Sequence, residues 1–163
     1  MTVQLWRIAT DTPAYTADDL SGKGAEVSGG RWNRPSLPVV YTASNIALAV
    51  LETVVHLQVS ALPLNRYLVR IDVPNDVWVA RKLDVLGTLP IGWDAVPTGK
   101  VSLDAGDQWL KSGGSLLYQV PSVIVPEEAN VLINPSHPSV KRIRATKVRR
   151  WLYDARIHER GAM

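Results

Sequence analysis

The sequence contains no cysteine. That absence removes a disulfide framework, thiolate zinc ligands and a cysteine nucleophile together. Histidine is scarce: His56, His137 and His158 are the only three, and none stands in an HExxH-type spacing. No metal is expected. The N-terminal stretch MTVQLWRIATDTP lacks a basic region followed by an apolar core, so no signal peptide is visible. The longest apolar run, around Ile46–Leu51, is far shorter than the roughly 20 residues that span a bilayer. A cytoplasmic chain with no membrane segment is the expectation. No internal repeat, low-complexity tract or long Pro/Gly/Ser linker divides the chain. A GxxxxGK loop followed by Ser or Thr is missing, and so is a GxGxxG that opens a long helix. A P-loop or Rossmann enzyme is therefore unsupported.

What is present fits one folded domain over residues 1–163. Hydrophobic residues make up 46% and charged residues 20%, enough apolar side chain for a real core. Charge is unevenly placed. From Ser139 to Met163 there are eight Lys/Arg against two acids, whereas residues 1–138 hold ten against thirteen. A basic tail on a mildly acidic body suits an anionic ligand, an acidic partner or nucleic acid; a solvated basic face is the plain alternative.

The patterning predicts an α+β domain with a mixed, mainly antiparallel core of about six short strands plus two or three helices. Strands are expected at Val3–Ile8, Pro38–Tyr41, Asn65–Pro74, Leu116–Pro121, Val123–Val125 and Val131–Ile133, with Val77–Ala80 extending or following the third. Ser44 reads as the N-cap of a helix from Asn45 to Gln58, and Thr98–Lys111 is expected to hold a second helix around Asp104–Leu110, closed by Gly113–Gly114. Ser21–Gly30, with four glycines, reads as a loop. The tail from Val140 to Arg150 has Ile143 and Ala145 at period two, which favours a strand over a helix and puts Lys141, Arg142 and Arg144 on it.

Chemistry concentrates in two places. In Ser28-Gly29-Gly30-Arg31-Trp32 an arginine follows two glycines and precedes a rigid aromatic. The guanidinium fork and nearby backbone N–H groups suit a pyrophosphate, though by themselves these residues fit a tight turn with Arg31 stacked on Trp32 somewhat better. Glu52 stands inside the apolar stretch AVLETVVHL, either on an exposed helix face or inside a pocket. His56 reads as a capping or core-edge histidine rather than a metal ligand.

Two segments, GGRWN…PVVYTASNIALAVLETVVHL and VPSVIVPEEANVLINPSHP, resemble the RES domain family, and LWRI near the N-terminus and YDARI at residues 153–157 extend the likeness over nearly the whole chain. The resemblance implies an ADP-ribosyltransferase-like fold that acts on NAD as substrate, without a metal. It implies a bacterial toxin paired with a cognate Xre-type antitoxin, possessing no DNA contact of its own, with a homo-oligomer inside that complex as a further expectation. Carried over residue by residue, the family's functional positions fall on Arg31, Tyr41, Glu52 and Ser122, with Tyr15 as a second pocket aromatic. In that reading Arg31 clamps a phosphate, Tyr41 walls the nicotinamide, Glu52 stabilises the developing ribosyl cation and Ser122 bonds Glu52 or the ribose. The expected function is NAD cleavage at the nicotinamide–ribose bond, which depletes NAD and arrests growth; ADP-ribosyl transfer to a protein from the same pocket is the alternative, and a nucleic-acid-binding module the weaker one.

Overall fold

The computed structural model describes residues 1–57 and 62–157. Seven strands form one sheet in the order β4-β5-β6-β2-β1-β3-β7: β1 Thr2–Thr10, β2 Val40–Ala43, β3 Arg66–Pro74, β4 Lys82–Leu83, β5 Leu117–Pro121, β6 Ala129–Ile133 and β7 Arg144–Trp151. Only β4 and β5 run parallel; every other neighbouring pair is antiparallel. Among the described residues four α-helices complete the mixed α/β architecture: α1 Lys23–Ser28, α2 Ile46–Val54, α3 Asn75–Val79 and α4 Lys100–Ser112.

Alternation of apolar side chains selects the central strands. Val69, Ile71 and Val73 are buried on one face of β3, where they join Leu5, Val40, Leu117 and Val131 in the first core cluster. Each such side chain contributes about 1.5–3 kcal/mol by leaving water. The other face carries two smaller clusters. Trp32, Trp109, Tyr118 and Leu132 gather under α4, and Ile8, Leu48, Ala49 and Leu68 gather under α2.

The feature that positions the site is a defect in this sheet. β1 pairs with β3 over nine residues, and β2 pairs with β6 over all four of its own. Between β1 and β2, however, the only pair in register is Trp6 with Ala43. Two well-laced halves are therefore joined at one point. They splay apart beyond it, where Arg7–Ala9 would otherwise have faced Val40–Thr42.

Several local expectations are corrected. Ser21–Gly30 contains α1, because its glycines serve as ends: Gly22 (φ 71°) is the N-cap and Gly29 (φ 68°) the C-cap. Asn45, and not Ser44, caps α2, its side chain accepting from the Leu48 N–H at 2.8 Å. The predicted end of that helix at Gln58 lies outside the described residues. Val77–Ala80 is no strand: Pro74 closes β3 and α3 follows, burying Val77. Val123–Val125 is a turn, since the Ile124 and Val125 amides bond the Ser122 hydroxyl instead of a neighbouring strand. The basic tail begins as a 3-10 turn, Pro138–Arg142, so Lys141 and Arg142 precede β7 and Arg144 is its first residue. Helix α4 lies almost wholly within the expected Thr98–Lys111 stretch, runs one residue past it to Ser112, and is closed by Gly113 in the left-handed conformation, as the glycine signal implied.

Candidate active site

The splayed region of the sheet opens a cleft of about 990 Å³, at the upper end of the roughly 300–1,000 Å³ usual for small-molecule sites. Arg7 to Thr10 of β1, α1, the Gly29–Trp32 loop, Tyr41 on β2 and one face of α2 line it. Arg31, Tyr41, Glu52 and Tyr15 are all among the lining residues. Ser122 is not; it is fully buried behind Glu52.

Glu52 reaches the cleft because Ala49, one turn earlier on α2, packs into the sheet and turns that face inward. One carboxylate oxygen, Oε1, accepts two hydrogen bonds: from Ser122 Oγ at 2.8 Å and from Asn130 Nδ2 at 2.7 Å. Ser122 is itself held, its Oγ accepting from the Ile124 and Val125 amides at 3.1 Å each. These bonds polarise one another in sequence and fix the hydroxyl proton toward Glu52. Among the described residues, Oε2 has no donor. A second tie fastens α2 to the same hairpin, from Asn45 Nδ2 to Glu128 Oε2 at 2.8 Å.

The opposite wall is the Arg31 loop. Arg31 Nη1 donates to the carbonyls of Trp93 (3.2 Å) and Ala95 (2.9 Å), which leaves Nε and Nη2 for a ligand. Trp32 and Asn33 behind it are buried. The Tyr41 hydroxyl accepts from the Trp32 amide at 3.0 Å and donates to Asn33 Oδ1 at 2.6 Å. Burial pushes the Tyr41 phenol well above its ordinary pKa, so it remains a neutral hydroxyl. Helix α4 braces the loop from outside: Arg34 bonds Asp107 at 2.6 Å and Asp104 at 2.8 Å.

The floor holds what the sequence reading missed. Arg7 lines the cleft, its Nε is buried without a partner, and no carboxylate lies within ion-pair distance among the described residues. Burial pushes its pKa down, opposed by Asp19 and Tyr15. Arg66, across the register from Thr10 on β3, also lines the cleft with an unpartnered buried Nε. His56 lines the rim as an exposed side chain. With Arg7, Lys23, Arg31 and Arg66 against Asp19 and Glu52, the lining is net cationic and suits a phosphate-bearing ligand. The signal for Arg7 was available: a cation in the middle of the otherwise apolar LWRIA strand needs a reason. Conversely, Lys141, Arg142 and Arg144 do not line the cleft. Arg142 pairs with Asp76, and β7 is separated from the cleft by β3.

A family model described as the RES domain matches residues 4–155. The chain belongs to the RES domain family. Its relatives include a "Prs ADP-ribosylating toxin" of a Sphingobium species, 58% identical over 96% of this chain and 98% of the relative. "Toxin Res" of Pseudomonas putida is 38% identical over 84% of this chain and 88% of the relative. "Toxin Res" of Yersinia enterocolitica is also 38% identical, over 77% and 80%. The chain is thus an enzyme of a toxin family. The RES match starts in β1 at Gln4 and ends at Ala155, so it takes in both halves of the splayed sheet and every residue of the cleft discussed above.

Proposed function

We propose that this RES domain, residues 1–163, cleaves NAD at the nicotinamide–ribose bond and transfers the ADP-ribosyl group to a protein acceptor. The bond from ribosyl C1 to the nicotinamide nitrogen breaks, and its electron pair leaves with nicotinamide. The acceptor's nucleophile forms the new bond to C1 and gives up one proton to the solvent. The transition state is a ribosyl oxocarbenium, whose positive charge a fixed carboxylate stabilises. Glu52 supplies that carboxylate, Arg7 and Arg31 hold the pyrophosphate, and the Tyr41 and Tyr15 rings wall the cleft. Ser122 acts through Glu52.

The observation that carries the reading is the asymmetry of Glu52: one oxygen is held by two neutral donors, the other has no donor among the described residues, and Arg7, Arg31 and Arg66 line the same cleft. The alternative acceptors are water and phosphate. Protein transfer is favoured because the 58%-identical relative bears the name "Prs ADP-ribosylating toxin". By the same family reading the enzyme is a cytoplasmic toxin held in check by a cognate antitoxin of Xre type, and β7 makes no DNA contact. No helix among the described residues is long and apolar enough to cross a membrane.

Purified chain is incubated with NAD, with and without Prs protein, and both nicotinamide release and ADP-ribosylation of Prs are followed. Glu52→Gln is expected to lower nicotinamide release by at least about 10²–10³-fold. Undiminished release by Glu52→Gln refutes the mechanism. Release that is strong without any protein acceptor, and leaves Prs unlabelled, moves the function to NAD hydrolysis.

A further inference from the structure

We propose that Asn130 is a positioning residue that decides which oxygen of Glu52 meets the substrate. The proposal rests on the reading of Glu52 as the carboxylate beside the reacting bond.

A carboxylate only accepts hydrogen bonds, so the 2.7 Å contact requires Asn130 to present its NH₂ to Glu52 Oε1. The amide orientation follows from that chemistry alone. Its carbonyl must then face the other way. There Oδ1 is buried and has no partner among the described residues. A buried amide oxygen without a donor weakens a fold. The side chain therefore makes one bond, to Glu52, while its other polar atom is a liability. Asn130 also lines the cleft, so its one side-chain bond is made at the site.

The second donor supplies what Ser122 cannot. A single hydrogen bond to Oε1 fixes the position of that oxygen but leaves the carboxylate plane free to turn about it. Ser122 follows the end of β5, and Asn130 stands on β6 in register with Val120 of β5 and Ala43 of β2. The sheet sets the distance between the two donors. Together they hold the plane and leave Oε2 as the oxygen with no donor among the described residues, on a side chain that lines the cleft. The ribosyl group then meets a preset oxygen, and no reorientation is needed as charge develops.

The experiment compares Asn130→Ala and the near-isosteric Asn130→Leu with the wild type, Ser122→Ala and the double variant Ser122→Ala/Asn130→Leu. Nicotinamide release gives kcat and KM for NAD, and thermal melting gives stability. Both single Asn130 variants are expected to lose about 10–100-fold in kcat, the scale on which small misplacements of reacting groups act, with KM within about threefold of wild type. Asn130→Leu, which removes the orphaned oxygen, melts at or above the wild-type temperature. The double variant loses less than the product of the single losses, because both donors act on one oxygen. Unchanged kcat, a kcat loss that tracks a lowered melting temperature, or multiplicative losses each overturn the assignment. If instead wild type releases no nicotinamide, the function proposed above fails and this assignment falls with it. If wild type is active and Glu52→Gln is not, retained kcat in the Asn130 variants refutes the positioning role alone.

Discussion

Gly106 on α4 offers a test in which two physical effects of opposite sign compete. A glycine inside a helix costs about 1 kcal/mol relative to alanine, so propensity alone makes Gly106→Ala stabilising. The packing says otherwise. A Cβ at position 106 would lie 1.7 Å from the carbonyl oxygen of Trp32 and 2.6 Å from its carbonyl carbon. Ordinary contact needs about 3.5 Å, so the helix and the Trp32 backbone must part by about 1.8 Å. The obstacle is backbone, which has no rotamer to change, and it is tethered by the Tyr41 and Asn33 bonds and by Arg34 to Asp107. Overpacking of this kind costs about 1–3 kcal/mol, and more where nothing yields. We therefore expect a net destabilisation of about 1–2 kcal/mol, a fall of about 2–8 °C in Tm for a chain of this size. Arg31 adjoins the displaced residue. A misplacement of about 1 Å is enough to lose about 10²-fold in rate, so kcat/KM for nicotinamide release falls by at least that factor. Urea unfolding and the nicotinamide assay measure both quantities. A Gly106→Ala protein more stable than wild type, with undiminished turnover, would show that the loop does not depend on α4 for its place.

Two further outcomes follow from charged groups. Arg7 is a cation in the cleft floor with no ion-pair partner among the described residues, so Arg7→Met is expected to melt at or above the parent temperature without NAD and to lose NAD-induced stabilisation. Melting curves in a Glu52→Gln background, with and without NAD, decide this; an intact ligand shift in Arg7→Met would remove Arg7 from the binding site. Asp11 accepts from Lys147 Nζ at 2.9 Å and from the Ala17 amide at 2.7 Å, and these bonds, the lysine's first, hold its pKa below the ordinary value. A carboxyl depressed in the folded state stabilises it above the unfolded pKa and ceases to do so as pH falls through the folded one. The stability gap between wild type and Asp11→Asn is therefore full at about pH 6 and closes below about pH 4, which urea titrations across that range will register. A gap independent of pH contradicts the ion pair.

Sequence alone determined the elements whose signal is local. The alternation Tyr67, Val69, Ile71, Val73 specifies β3 because strand side chains alternate in direction whatever lies beside them. Gly113 ends α4 because only glycine enters the left-handed conformation without strain. The spaced motifs around Arg31, Tyr41, Glu52 and Ser122 were likewise legible, and the structure sets Arg31 and Tyr41 across one cleft from Glu52, with Ser122 directly behind Glu52. Tertiary structure decided the rest, for reasons that no window of residues contains. Whether a strand pairs along its whole length depends on its neighbours, so the gap between β1 and β2 that creates the cleft is invisible in either strand. Arg7 reads as an odd cation in an apolar strand until the sheet opens beside it. Asn130 reads as an ordinary strand asparagine until a helix begun 84 residues earlier delivers Glu52 to within 2.7 Å of its amide. Side-chain pattern is written in sequence neighbours, whereas a site is made of residues that meet only after the chain has closed its long loops.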